Sequence, residues 1–402
     1  MLYASTPVEL ITLLYHFCAG YYSCYCFCPF SGPMGFFLGC FGCGNHRHRL
    51  QDHLNNDQDT GTRVGDNDQD YWSPAVTGLK RYRWQEIETM TQNFSQVIGV
   101  GGFSSVYLAC LPAESTLAAV KVYHSSSLRL NQVFKSELDI TSQLHHPGIV
   151  KLLGYCNDRE EGVLVFEYIP HGTLEEKLHS SRNQEAVLPW KNRMAIVFQL
   201  AQALEYLHDE CSHHIVHGDI KSSNILLDAH LNSKLCDFGS AKMGFSSAQR
   251  PMINNLSLMG SPGYTDPHYL TTGIASKKND IYSLGVIILE LITGAEAFCA
   301  ENDQMLTSTM RVRRNGNFEL EVNKVVQMAE QQLILAGLTD TEEATNMAYV
   351  AALCLHQLPG LRPSAADVCR IMREKISSIA FLFSTDAHKL EQNSLQFYAT
   401  QP

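Results

Sequence analysis

The sequence predicts an α+β fold, a smaller strand-rich part followed by a larger, mainly helical one. Three observations predict it. Strand-favouring residues flank a glycine-rich turn at Ile98–Tyr107, and Ala118–Tyr123 is an apolar run of strand length. Met194, Val197, Leu200, Leu204 and Leu207 recur at spacings of three and four, as the buried face of a helix does. Leu284–Ile292 is strongly apolar, contains Glu290, and is too short to span a membrane, so it reads as a buried central helix. No internal repeat points to a solenoid.

Taken from the N-terminus, the 402-residue chain opens with an apolar, Cys-rich region, residues 1–50. From Leu10 to His46 it has no Asp, Glu, Lys or Arg, a length able to cross a bilayer. Gly20, Pro29, Gly32, Pro33, Gly35 and Gly39 restrict a continuous helix to about residues 8–28. The basic cluster His46–Arg49 follows, which would keep everything after it in the cytosol and leave too few residues outside for an ectodomain. Glu9 ahead of the apolar run argues against a secretory signal. Of the 13 Cys, Cys18, Cys24, Cys26, Cys28, Cys40 and Cys43 lie here, and S-palmitoylation would make a two-signal membrane anchor of them. A zinc site of Cys40, Cys43, His46 and His48 is the alternative, although the spacing matches no common finger. The remaining Cys are scattered singly, as in a reduced cytosolic domain.

Residues 51–81 form a polar linker whose first part, rich in Asp, Asn and Gln, lacks the apolar surface needed to fold. Asp66-x-Asp68-x-Asp70 begins like a calcium loop, but Tyr71 and Thr77 stand where Gly and Glu are required. A folded domain is expected over residues 82–380, divided near residue 169, and a tail over 381–402. Lys and Arg total 30 against 41 Asp and Glu, and a net charge of −11 is the wrong sign for neutralising nucleic-acid phosphates. No nucleic-acid partner is expected.

Chemistry-bearing residues occur in ordered blocks. Ile98, Gly99, Val100, Gly101, Gly102, Phe103, Ser104, Ser105 and Val106 make a loop whose missing side chains let backbone N–H groups approach a phosphate. Lys121 is a lone cation on an apolar strand and needs an anionic partner. The helical pattern of Leu130, Val133, Phe134, Leu138 and Leu144 carries Glu137 to where it can face that Lys. Further on come His217-Gly218-Asp219-Ile220-Lys221-Ser222-Ser223-Asn224 and Cys236-Asp237-Phe238-Gly239.

Glycine loop, strand Lys, helix Glu, D-x-K-x-x-N and D-F-G stand in the order and spacing of the protein kinases, which the chain resembles. The resemblance narrows to the plant receptor-like kinases, relatives of the interleukin-receptor-associated kinases, at Tyr82–Phe94, Gly148–Cys156, Leu164–Tyr168 and Arg362-Pro363-Ser364. It covers about residues 82–378 and implies a two-lobed kinase fold: a small antiparallel β lobe with one long helix and a large helical lobe. It also implies a serine/threonine protein kinase using ATP and Mg2+ (or Mn2+), acting on protein substrates beside a membrane receptor kinase at the cytosolic face of the cell membrane, with a cytoplasmic location as the alternative.

By the same resemblance, Gly99–Val106 cover the phosphates, with Ile98 also nucleotide-binding, Lys121 holds the α and β phosphates, and Glu137 orients Lys121. Asn224 and Asp237 hold the metal, Asp219 accepts the hydroxyl proton, and Lys221 steadies the transferring group. Phe166 is the gatekeeper, Glu167 to Ile169 the adenine-binding hinge, and Asp280 braces the catalytic-loop backbone.

Three departures from the family pattern stand out. Ser104 replaces the third loop glycine, which predicts altered ATP affinity without its loss. Gly218 replaces the Arg that pairs with an activation-segment phosphate, so switching of that kind should be weak, with Ser261 favoured over Ser257 and Thr265 as a regulatory position. His268 stands where a Glu normally pairs with Arg362, and another acceptor, Asp266, is expected to take its place. These departures motivate the alternative of a pseudokinase scaffold, against which stand Lys121, Asp219 and Asp237, all present.

Overall fold

The computed structural model describes residues 78–111, 116–124, 128–159, 161–179, 187–244, 260–314, 317–335, 337 and 341–379. The anchor expected in residues 1–50, nearly all of the linker, Ser257 and the tail lie outside them.

The small lobe is built on one six-stranded sheet. Its strands are β1 (Lys80–Arg81), β2 (Val97–Val100), β3 (Ser104–Leu111), β4 (Thr116–Tyr123), β5 (Leu152–Cys156) and β6 (Val163–Glu167), ordered β1-β5-β6-β4-β3-β2. All neighbours are antiparallel except β1 beside β5. Successive side chains of a strand face opposite ways, so Val120 and Val122 enter one apolar layer while Lys121 and Tyr123 enter the other. The first layer is closed by Tyr82 and by Ile87 and Met90 of α1 (Trp84–Met90). The second is closed by Phe134 and Leu138 of α2 (Leu128–Thr141). Both faces of the sheet are therefore covered. Gly154 permits the edge pairing, because a Cβ there would stand 2.3 Å from the Lys80 carbonyl oxygen.

The large lobe follows with α3 (Leu174–His179) and α4 (Trp190–Glu205). The sequence pattern predicts one helix through Leu207, whereas the chain widens into a π turn at Tyr206–Glu210. That turn buries Leu207 and His208 together and frees His208 to meet a carboxylate described below. Short strands β7 (Ile215–Val216), β8 (Ile225–Leu227), β9 (Ser233–Leu235) and β10 (Lys242–Met243) pair as β7 with β10 and β8 with β9, and carry the blocks His217–Asn224 and Cys236–Gly239 between them.

After α5 (Pro267–Thr272) comes α6 (Lys277–Thr293), the predicted central helix, buried from Asn279 to Thr293. Ser276 caps its start and Gly294, at φ +68°, its end. Helices α7 (Val322–Leu335), α8 (Thr341–Cys354) and α9 (Ala365–Lys375) complete this core. Each fully buried Leu or Ile contributes about 1.5–3 kcal/mol relative to exposure, so the lobe is held mainly by its interior. Among the described residues no helix is long and apolar enough to cross a membrane.

Candidate active site

Strand β4 and helix α2 bring Lys121 and Glu137 together. Lys121 Nζ donates to both Glu137 oxygens at 2.8 Å and to Asp237 Oδ1 at 2.8 Å. Glu137 is 1% exposed, whereas 46% of the Asp237 side chain is open to solvent. Burial works to lower the lysine pKa, but the two carboxylates more than offset it and hold the ammonium well above its ordinary range. Desolvation raises the Asp237 carboxyl, and Lys121 outweighs this, drawing it down to about 2. The group therefore stays ionised at neutral pH. Beside it the Cys236 thiol is pushed up to about 12, first by burial and then by the Asp237 charge, which removes it as a nucleophile.

The loop at His217–Asn224 is held from beneath by Asp280 at the start of α6. Its two oxygens accept the His217 and Gly218 amides at 2.9 Å each, and Oδ2 also meets His208 Nε2 at 2.9 Å. Gly218 lies at φ +79°, a left-handed conformation that costs other residues strain, and a Cβ would stand 3.1 Å from the Ser240 carbonyl oxygen. The loop then turns Asp219, Lys221 and Asn224 toward one another. Lys221 Nζ lies 2.9 Å from Asp219 Oδ2, and the Asn224 amide donates to the Asp219 backbone and side chain. Ser261 Oγ donates to Asp219 Oδ1 at 2.7 Å and accepts from Lys221 Nζ at 2.9 Å.

Backbone pairing links the two groups of charges. The Cys236 amide donates to the Asn224 carbonyl at 3.0 Å, which sets Asp237 next to the loop. His217 meets Phe238 edge-on at 4.8 Å, and Asp237 itself is left-handed at φ +63°. Lys121, Glu137 and Asp237 thus form one cluster and Asp219, Lys221, Asn224 and Ser261 a second, joined through residues 236 and 237. Of these groups the Lys121 ammonium fits a polyphosphate, and the Asp237 carboxylate and the Asn224 amide oxygen are donors that fit a hard divalent ion.

The glycine-rich turn joins β2 to β3, with the Gly101 amide on the Ser104 carbonyl at 2.8 Å. Ser104 sits in regular strand opposite Tyr123, outside the positive-φ positions, so its Cβ causes no strain there. Ile98, Val100 and Phe103 are exposed, whereas Ser105 is buried and its hydroxyl meets His124. At the hinge, Ile169 is buried, Phe166 packs against the layer over α2, and the Glu167 carboxylate is taken by the Lys151 amide and by Lys234 Nζ. The Glu167 amide is itself engaged, donating to the Lys151 carbonyl at 3.0 Å.

The Arg362 guanidinium donates to both Asp266 oxygens, at 2.6 and 2.9 Å, as the sequence reading expects. Sequence reasoning did miss a second buried network. Glu290 accepts from the Tyr264 hydroxyl at 2.8 Å and from His179 at 3.1 Å, and Tyr264 also bonds Ser222 of the catalytic loop. Glu290 alone among apolar neighbours on α6 was the available signal, since a buried carboxylate requires partners.

Residues 92–372 match the family described as protein kinase domain. The chain is 50% identical over 309 residues to a "Probable receptor-like protein kinase" of Arabidopsis thaliana, covering 74% of this chain and 89% of that one. It is 48% identical over 310 residues to "Salt tolerance receptor-like cytoplasmic kinase 1" of Oryza sativa subsp. japonica, covering 76% and 83%. A third relative, the Arabidopsis "Probable serine/threonine-protein kinase PBL7", is 36% identical over 316 residues, covering 77% and 79%.

Proposed function

The chain belongs to the protein kinase family, with plant receptor-like kinases among its relatives, and from that membership we propose that it transfers the γ-phosphoryl group of ATP to serine or threonine hydroxyls of proteins. The observation that carries this reading is the joining of the Lys121–Glu137–Asp237 cluster to the Asp219–Lys221–Asn224 loop. Phosphoryl transfer needs little covalent help from a protein. It needs fixed charges around a transition state rich in negative charge.

In this reading Lys121 binds the α and β phosphates and Glu137 orients it. Asp219 takes the proton from the acceptor hydroxyl as the hydroxyl oxygen bonds the γ-phosphorus and the bond from that phosphorus to the β-phosphate oxygen breaks, releasing ADP, and Lys221 balances charge on the transferring group. The Asp237 carboxylate and the Asn224 amide oxygen hold a magnesium or manganese ion, which supplies charge neutralisation on the phosphate oxygens when bound. The turn at residues 98–106 covers the phosphates, and Phe166, Glu167 and Ile169 line the adenine. Ser261 is the regulatory position: its hydroxyl braces Asp219 and Lys221, and a phosphate there would set a dianion beside the Asp219 carboxylate. Modification of Ser261 is therefore inhibitory.

The test is magnesium-dependent phosphate incorporation by the full-length chain and by Asp219→Asn. Loss of a positioned general base costs on the order of 10²–10⁴ in rate, and the substitution should remove transfer while leaving nucleotide binding. Binding without turnover in the unmutated chain would favour the scaffold alternative.

For location, the uncharged segment Leu10–His46 and the basic cluster after it support attachment to the cytosolic face of the cell membrane beside a receptor kinase. A tagged full-length chain should sediment with membranes and lose that association when residues 1–45 are removed. A soluble full-length chain would leave the cytoplasmic alternative.

A further inference from the structure

The carboxylate that meets Lys121 has another partner, absent from the kinase motifs. Tyr123 leaves β4 two residues after Lys121, hence on the same face of the sheet. Its phenol hydroxyl donates to Glu137 Oε2, the oxygen that also accepts from Lys121 Nζ. The ring is buried and lies edge-on against Phe134, one turn before Glu137 on α2, with centroids 5.7 Å apart. Tyr123 therefore grips α2 twice, through an aromatic contact and through a hydrogen bond to a charged group.

The arrangement matters because Lys121 is shared. Its ammonium is equidistant from Glu137 and Asp237, so any movement of the lysine toward Asp237 or a phosphate withdraws charge from Glu137. Glu137 is too buried for water to replace that partner, and a buried carboxylate without donors is strongly disfavoured. Phe166, packed in the same apolar layer, has no polar atom to offer. Among the described residues, the Tyr123 hydroxyl is the donor that stays on the carboxylate wherever Lys121 points.

We propose that Tyr123 is a positioning residue for phosphoryl transfer, its hydroxyl clamping Glu137 and α2 in the arrangement that aims Lys121 at the phosphates. The proposal rests on the role given above to Lys121, and its test includes a readout that needs neither nucleotide nor turnover.

Tyr123→Phe in the full-length chain keeps the ring and its packing on Phe134 and removes only the hydroxyl. Without nucleotide, amide hydrogen exchange across Glu137–Thr141 should quicken about tenfold, the scale of one hydrogen bond to a charged group. With nucleotide, kcat/KM for ATP should fall by about the same factor. In a Glu137→Ala background, where the hydroxyl has no carboxylate to hold, the substitution should leave exchange within about twofold. Unchanged exchange in the native background overturns the proposal. So does an equal rise in both backgrounds, or faster exchange with kcat/KM unaltered. A chain without any transfer activity would refute the kinase reading instead, while the exchange data still judge the clamp.

Discussion

Two ion groups among the described residues, one centred on Lys121 and one on Arg362, differ in design. At Lys121 the cation has two carboxylates, one sealed inside the protein and one, Asp237, with nearly half its side chain exposed. At Arg362 both partners are 1% exposed, and the guanidinium also donates to the His356 and Lys278 carbonyls. The second group is closed, its guanidinium held by a carboxylate and two carbonyls of the large lobe. The first is open on one side and rich in charge there. A buried ion pair is ambiguous evidence, since desolvation can cancel its attraction. The open carboxylate separates a group that a ligand can reach from one enclosed by chain.

The same change made in both places should break the comparison in opposite directions. Asp237→Ala removes an exposed carboxylate beside a lysine that keeps Glu137, so the unfolding free energy should move by no more than about 1 kcal/mol. Phosphate transfer should meanwhile fall by at least about 10²-fold. Asp266→Ala leaves Arg362 buried with carbonyl partners alone, and a stranded charge of this kind costs about 3–5 kcal/mol. Denaturant unfolding and initial transfer rates on the two variants measure both quantities. A strongly destabilised Asp237 variant, or an Asp266 variant as stable as the parent chain, would erase the distinction.

The open group is legible in the sequence and much of its support is not. Lys121, Glu137, Asp219, Asn224 and Asp237 stand out because each lies in a short local block that matches a kinase motif in order and spacing. The central helix announces itself by an apolar run, and Asp280 by its place at the start of that run. The Tyr123 clamp is hidden because a tyrosine in an apolar strand reads as core, and periodicity does not reveal where a phenol hydroxyl points. The Glu290 network is hidden for a different reason. Its members, His179, Ser222, Tyr264 and Glu290, are far apart in the chain and meet only after folding. At Tyr206–Glu210 the helical spacing continues through Leu207, so the widening of the turn leaves no trace in the apolar pattern.

The smallest effect sharpens the comparison most. His268 stands where the kinase pattern that the sequence resembles has a Glu facing Arg362, and Asp266, two residues earlier, makes the pairing here. Because Asp266 already uses both oxygens on Arg362, His268→Glu in the native background has little left to gain. The helix N-terminus at Pro267 offers a new carboxylate about 0.3–1 kcal/mol, and nearby Asp266 repels it, so stability should stay within about 1 kcal/mol of the parent. In the Asp266→Ala background the same substitution restores the usual order of the segment and supplies the missing anion. It should recover most of the stability lost, a coupling of about 2–3 kcal/mol in a double-mutant cycle read by denaturant unfolding. Recovery would mean that the closed group needs only an anion near Arg362 and is indifferent to which residue brings it. A double variant no more stable than Asp266→Ala would mean that the backbone here has shifted along with the carboxylate, so that position 268 no longer reaches the arginine.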